Sequence, residues 1–384
     1  MSSAITPFAI EADESALVDL RKRLSCTRWP EHETVGDWSQ GVPAGYLRAI
    51  CDHWERGYDW RRVEERLNAL PQFRTTIDGL GIHFLHVRSR HEAAVPLVLT
   101  HGWPGSVFEF EKVLGPLTDP VAHGGEAEDA FHVVCPTLPG FGFSDKPGGA
   151  GWGVHRIADA WAELMARLGY ARYFAQGGDW GATVTTLLAE AHPDRVAGIH
   201  LNYAVLSRKA LLDLGELLPE EEEALAARDR HERQGGGYSA LQATRPQTLG
   251  YGLADSPAGQ CAWVLEKLMA WSDCDGDPLS SFSRDELLDA VMLYWLPNAA
   301  ASSARLYWES RDAVRASIAP VRAPTAFSAF PAEIVCYPRR WIATRYEDLR
   351  YYHRVDRGGH FAALEEPGRF VAEVRAGIAA LRGA

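Results

Sequence analysis

Residues 174–183 read FAQGGDWGAT: the end of an apolar run, a glycine turn, then small residues compatible with a helix. Gly177, Asp179 and Gly181 form a small-x-nucleophile-x-small pentapeptide. That is the pattern of a nucleophile elbow. Its strand-to-helix turn is so tight that the residues two before and two after the nucleophile must be tiny. The helix N-terminus that follows points backbone N–H groups at developing negative charge. Serine or cysteine at the centre would indicate acyl transfer, and aspartate changes the chemistry. A free aspartate carboxyl titrates near about 3.9, so at neutral pH it is ionised and attacks without a base. It can displace at carbon and become an ester. A helix-capping aspartate after a glycine turn is the competing reading that the pentapeptide alone leaves open.

An ester on the protein must be hydrolysed, and that requires a base for water. His360, in DRGGHFAALEEP, lies in a glycine-flanked loop after a strand signal and near the C-terminus. The chain order nucleophile, acid, base places the histidine there. Its orienting acid should follow the preceding strand, and TAFSAFPAEIVCYP offers Glu333. Asp356 is nearer, but it belongs to the strand approaching His360 and is poorly placed to orient it. A carboxylate on the imidazole fixes its tautomer and stabilises the imidazolium. In LTHGWPGS, His101, Gly102, Trp103 and Pro104 have the form of an oxyanion loop directly after a core strand. The N–H groups of Trp103 and Trp180 are the two expected oxyanion donors. An ordinary strand-to-helix turn is the alternative for that loop.

These residues need a scaffold, and the rest of the chain supplies one. Its 384 residues, 46% hydrophobic and 23% charged, describe a globular protein with ample core. A net charge of −12 with 39 dispersed basic residues argues against nucleic acid as a partner. The six cysteines are scattered without a CxxC pair, as reduced cytosolic thiols would be. The N-terminal stretch lacks a signal peptide, and no apolar run approaches the roughly 18 residues of a membrane span. A cytoplasmic protein without a membrane anchor is expected.

Residues 1–75 read as helical. DESALVDLRKRLS carries Leu17, Leu20 and Leu24 at helical spacing with Asp13 or Ser15 to cap it, and two further helices break near Gly57 and Tyr58. Strands begin after Phe73, with a hairpin turning near Gly79 and Gly81. VPLVLTHG, FHVVCPTLPGFG, YFAQGG and VAGIHLNYA then alternate with helical segments such as VHRIADAWAELMARLG. That alternation implies an α/β fold with a mostly parallel sheet covered on both faces. Residues 208–317 are helical and interrupt the sheet before PTAFSAF and YYHRVDRGG, as an inserted lid does. The core is thus assigned to 76–207 and 318–384. There are no internal repeats.

HGWPGS, LPGFGFSDKP, QGGDWGA, DSPAGQCAWVLEKLMAWSD, VMLYWLP, FSAFPAEI and RGGHFAALEEP, with the N-terminal stretch from DWSQG to LPQF, together resemble epoxide hydrolases of the α/β-hydrolase fold. The likeness is to the microsomal and juvenile-hormone branch and spans nearly the whole chain. A glutamate in the acid position, here Glu333, is similar to that branch. The resemblance implies two lid tyrosines that donate hydrogen bonds to the epoxide oxygen, and residue matching places them at Tyr238 and Tyr307. Phenols with a pKa near 10 stay protonated at neutral pH and can donate to an alkoxide. It implies no cofactor and no metal, with water and an apolar or aromatic epoxide as the small-molecule partners. The chain is expected to start directly at the N-terminal domain, without the anchor of microsomal members. In that respect it resembles soluble bacterial members, some of which act in secondary metabolism. The oligomeric state stays open, a homodimer included.

The alternative with the same nucleophile and base is a haloalkane or haloacid dehalogenase; the tyrosines and N-terminal domain favour the epoxide hydrolase. A non-catalytic hydrolase-fold binding protein is the third class. DCDGDPLSSFSRDE at 273–286 hints at a calcium loop, but Pro278 and Arg284 replace the glycine and glutamate it needs, so a solvated loop is expected. Glu220–Glu223 is expected to be a solvated helix face; Trp263, Trp271 and Trp295 are read as core before substrate box, with a few of the abundant aromatics left to line an apolar pocket.

Overall fold

The computed structural model describes residues 4–316 and 319–382. Among the described residues, nine strands form one sheet: β1 (Thr6–Pro7), β2 (Gln72–Ile77), β3 (Leu80–Val87), β4 (Val95–Thr100), β5 (Phe131–Pro136), β6 (Tyr173–Gly177), β7 (Val196–Leu201), β8 (Thr325–Ala329) and β9 (Leu349–Arg354). Their spatial order is β1-β2-β3-β5-β4-β6-β7-β8-β9. The first four neighbours in that row pair antiparallel and every pair from β5 onward is parallel. Strand pairing starts earlier than the sequence pattern suggests, because Thr6 and Pro7 lie against Arg74 and Phe73. Two residues are too few to carry an alternation signal.

The central strands are mostly apolar because helices cover both faces. Helices α1 (Glu14–Ser25), α2 (Ala44–Arg56) and α3 (Trp60–Asn68) precede the hairpin. Asp13 caps α1 by accepting from the Ser15 N–H, and Asp59 caps α3 through Arg61. Next come α4 (Glu111–Thr118), α5 (Val154–Arg167) and α6 (Asp179–Ala191). The chain runs from β4 to β5 on one side, then crosses to β6 on the other side of β4. That reversal opens a crevice beyond the carboxyl ends of β4 and β6, where α/β sheets place their ligands.

Between β7 and β8 lie α7 (Arg208–Leu212), α8 (Pro219–Arg230), α9 (Gly237–Thr244), α10 (Pro246–Asp255), α11 (Pro257–Trp271), α12 (Arg284–Trp295) and α13 (Ala300–Ala316). The expected boundary between insert and core, at 317/318, falls outside the described residues. The chain ends with α14 (Arg339–Ile342), α15 (Ala362–Glu365) and α16 (Pro367–Arg382). The N-terminal helices fasten the insert. Tyr58 donates to Asp289 at 2.7 Å, Arg66 pairs with the same carboxylate at 2.7 Å, and His53 meets Asp285 at 2.7 Å. Trp54 packs edge-on against Trp295.

The acidic run at 220–223 is not wholly a solvated face. Glu221 is fully buried, receives the Leu218 N–H at 2.9 Å and pairs with Arg340 at 3.0 Å. Composition shows the charge but not the guanidinium that arrives from α14. The 273–286 segment is also tied down: Asp273 accepts from the Gly358 N–H and Asp277 from Tyr46. No group of three or more potential metal ligands occurs among the described residues, and no helix there is long and apolar enough to cross a membrane.

Candidate active site

Three loops meet at the carboxyl ends of β4, β6 and β8. Gly177 closes β6, and Asp179 opens α6 with a left-handed φ of 48°. The glycines around it are dictated by space. A Cβ on Gly177 would lie 2.2 Å from the Gly181 carbonyl oxygen, and one on Gly181 would lie 1.8 Å from that of Thr100. A Cβ on Gly102 would lie 2.1 Å from Asp179 Oδ1. The Trp103 N–H donates to that same oxygen at 2.7 Å. Trp180 follows Asp179 and carries its N–H in the first turn of α6. The bond from Trp103 to Pro104 is cis. His101 is buried and braces the loop: its Nε2 accepts from the Leu138 N–H at 3.2 Å, which leaves Nδ1–H to donate to the Gly102 carbonyl at 2.9 Å. Burial pulls its pKa down to about 4, so it serves as a neutral strut.

His360 reaches the same point from beyond β9. Gly358 takes φ of 102°, and Gly359 has no room for a Cβ, which would sit 2.5 Å from the Trp271 carbonyl oxygen. The His360 N–H donates to that carbonyl at 2.8 Å. Its Nδ1 is 2.8 Å from Glu333 Oε1, and its Nε2 is 3.5 Å from Asp179 Oδ2. Glu333 Oε1 also accepts the Ile334 N–H at 2.7 Å. Burial opposes an imidazolium here, but the Glu333 charge and the hydrogen bonds to both carboxylates outweigh it, and the His360 pKa rises well above its ordinary value. Asp356 lies two residues past β9, faces outward, and pairs with Arg369 at 2.7 Å. It leaves the orienting position to Glu333.

Tyr238 and Tyr307 come from α9 and α13 of the insert and are both buried. Tyr238 stacks on Trp103 with ring centroids 5.1 Å apart, and Tyr307 stands edge-on to Trp180 at 4.8 Å. Their rings are 5.9 Å apart. The Tyr307 hydroxyl is buried without a hydrogen-bond partner of good geometry among the described residues. Burial first, and then neighbouring groups that include the Asp179 charge, raise both phenols well above the ordinary value, so both keep their protons. The insert is pinned to the loops: Tyr294 of α12 donates to the Gly105 carbonyl at 2.7 Å, and Ser302 of α13 to that of Gly140 at 2.5 Å.

Several residues at the site went unread in the sequence. Trp271, expected as core, is a wall of the site, 5.0 Å from the His360 ring and 5.2 Å from Tyr238. Lys267, one turn earlier in α11, is only 4% exposed; its ammonium pairs with Glu266 and lies 4.6 Å from the Tyr238 ring centroid. Glu109 sits in a 3-10 turn just after the HGWP loop. Burial pushes its carboxyl up to about 8, with His360 opposing and Asp179 assisting. An acidic residue flanked by Phe108 and Phe110 was the available signal. Trp271, Tyr238 and Glu333 also line a cavity of about 1190 Å³ that extends to Trp38, Val42 and Trp263.

The sheet order, the elbow at β6 and the helical insert define an α/β-hydrolase whose elbow carries a carboxylate. The profile for the alpha/beta hydrolase fold matches residues 95–268, and that for the epoxide hydrolase N terminus matches residues 5–110. The chain is 56% identical to a Stigmatella aurantiaca relative over 371 residues, 97% of this chain and 84% of the other. It is 37% identical to epoxide hydrolase 1 of Oryctolagus cuniculus, covering 95% of this chain and 86% of that one. The crystal structure of the Bombyx mori juvenile hormone epoxide hydrolase superposes with a TM-score of 0.91 at 32% identity, covering 99% of this chain and 95% of the other. The chain belongs to the epoxide hydrolase family, and the enzyme is an epoxide hydrolase.

Proposed function

We propose that this enzyme converts an apolar or aromatic epoxide to a vicinal diol through an ester on Asp179. Asp179 attacks a ring carbon, the C–O bond opens, and the alkoxide takes a proton from Tyr238 or Tyr307. With the Asp179 charge gone, the resting His360 proton returns to the tyrosine that protonated the alkoxide, and the neutral imidazole, oriented by Glu333, then removes a proton from water. The water oxygen adds to the Asp179 carboxyl carbon, and the N–H groups of Trp103 and Trp180 hold the oxyanion. Collapse expels the second diol oxygen, which takes the proton from His360, and the Asp179 carboxyl passes its own proton to His360, restoring the carboxylate and the resting imidazolium. The observation that carries this reading is the contact of His360 Nε2 with Asp179 Oδ2 at 3.5 Å beside the Glu333 bond at 2.8 Å.

The electrostatics fit two steps. In the resting site His360 is held protonated between two carboxylates. Esterification removes the Asp179 charge, so the imidazole pKa falls just when a base is needed. The large cavity, with its aromatic and charged lining, suits a bulky ring-bearing epoxide of the kind secondary metabolism makes.

The test is turnover in heavy-oxygen water. Repeated cycles should place label in the Asp179 carboxylate, and Asp179→Asn should abolish diol formation. Diol produced without label in Asp179 would refute the ester. Halide release from a haloalkane in place of diol formation would favour the dehalogenase reading.

A further inference from the structure

Hydrolysis of the ester needs a water placed at the Asp179 carboxyl carbon, and His360 alone fixes only one of that water's contacts. A chamber of about 20 Å³ adjoins the Asp179 carboxylate, lined by Gly102, Glu109, Gln176, Asn202 and His360 among others. A space of roughly 10–15 Å³ or more holds one water when two to four polar groups meet it. The chamber therefore takes one water and little else.

Its polar groups are set by the fold. Gln176 is 1% exposed; its amide nitrogen donates to Asn202 Oδ1 at 2.9 Å, and its Oε1 is buried with no partner among the described residues. An acceptor buried without a donor is destabilising, so this oxygen is in want of an O–H. Glu109 enters from the turn after the HGWP loop. A Cβ on Gly105 would lie 2.1 Å from Glu109 Oε2, and one on Gly178 would lie 2.8 Å from Asn202. The backbone is thus cut back to glycine where these two side chains pass. The Trp103 N–H occupies Asp179 Oδ1 and His360 faces Oδ2, so the chamber opens on a carboxyl already fixed at both oxygens.

We propose that Glu109, together with Gln176, holds the hydrolytic water in this chamber, between His360 and the Asp179 carboxyl carbon. The inference rests on the ester mechanism above. In the step, one O–H of the water is broken by transfer of its proton to His360 Nε2, while the oxygen bonds to the Asp179 carbon. The second O–H stays intact and donates to Gln176 or Glu109. Breaking of the ester C–O bond then returns the His360 proton to the departing alkoxide, which becomes a hydroxyl of the diol.

The experiment is single-turnover kinetics with styrene oxide as probe, on the full-length enzyme and its Glu109→Leu, Glu109→Gln and Gly105→Ala variants. Tryptophan fluorescence follows ester formation and decay, and intact-mass spectrometry counts the ester. For Glu109→Leu, ester formation should stay within about threefold while hydrolysis slows by about 30- to 100-fold, the scale of a misplaced reactant. Glu109→Gln should retain more of the hydrolysis rate because an amide still binds water. Gly105→Ala, which pushes on the Glu109 carboxyl, should slow hydrolysis selectively. Ester formation at a normal rate also shows that a variant is folded. Unchanged hydrolysis in Glu109→Leu, or an equal fall in both steps, would overturn the role of Glu109. An unsubstituted enzyme that never forms an ester would instead overturn the mechanism beneath it.

Discussion

Replacing Glu333 with glutamine separates the two chemical steps. Glu333 Oε1 accepts from both the Ile334 N–H and His360, at 2.7 and 2.8 Å. A glutamine oxygen can occupy that point and keep the ring in place, so the substitution removes charge rather than geometry. The amide NH₂ falls where Oε2 is now, a buried position with no partner among the described residues, which adds a modest stability cost. In the proposed hydrolysis step His360 becomes an imidazolium beside an esterified, neutral Asp179, which leaves Glu333 as its counter-charge. At a charge separation of about 4 Å and an effective dielectric of 20, that interaction is worth about 4 kcal/mol. With the retained hydrogen bond offsetting about 1 kcal/mol, the loss is about 3 kcal/mol, or roughly two orders of magnitude in the hydrolysis rate. Ester formation needs no base and should change by no more than a few-fold. In the assay, stopped-flow tryptophan fluorescence with an aryl epoxide, ester should accumulate in steady state and appear by intact mass. Equal loss in both steps, or a variant that never accumulates ester, would refute the assignment of Glu333 to water activation.

Other perturbations test neighbouring parts of the site. Gly102→Ala puts a methyl 2.1 Å from Asp179 Oδ1, so it should abolish ester formation with little change in melting temperature, as read by mass spectrometry and calorimetry. Lys267→Met removes a cation 4.6 Å from the Tyr238 ring and should slow ring opening about tenfold, with Lys267→Arg recovering most of it; an unchanged rate of ester formation would exclude the contact from the chemistry. His83, His101 and His200 are neutral in the core, with pKa values lowered by burial to about 3, 4 and 4. Their folded values lie below the unfolded value of about 6.5, so their contribution is complete above pH 6.5 and is lost as pH falls toward 4. His360 has the opposite sign: its raised pKa stabilises fully below about 6.5 and fades as pH climbs through the raised value. Denaturant titrations across pH should therefore show stability falling already between pH 6.5 and 5, and His360→Gln should flatten the alkaline limb only.

Local sequence carried the sheet and the loops because each obeys a short-range rule. β4 and β6 are mostly apolar, and Gly177 and Gly181 are excluded from any larger side chain by backbone within 2.2 Å. What was illegible arose from meetings at long range. Glu221 looked like one more solvated carboxylate until Arg340, remote in sequence, buried it. Trp271 looked like core because hydrophobicity is the same on the wall of a site and inside a helix bundle. Tyr238 and Tyr307 carry no local signature among thirteen tyrosines. Their positions became readable through family resemblance, and their packing on Trp103 and Trp180 is a property of the folded lid.

The proposed reaction sets two demands on His360 that one environment cannot meet. Its imidazolium must be stable beside ionised Asp179, and a neutral imidazole must be available for water. In the mechanism proposed here the substrate resolves the conflict. Ring opening turns Asp179 into an ester, removes one of the two charges that raise the His360 pKa, and leaves Glu333. The site therefore becomes basic only after the ester exists, and water is not activated against a free carboxylate. The same logic explains why Glu333 must stay: a site without it would have no counter-charge at the moment the imidazolium re-forms. Moving that carboxylate away should slow ester hydrolysis far more than ester formation, whereas removing His360 should leave an ester that persists.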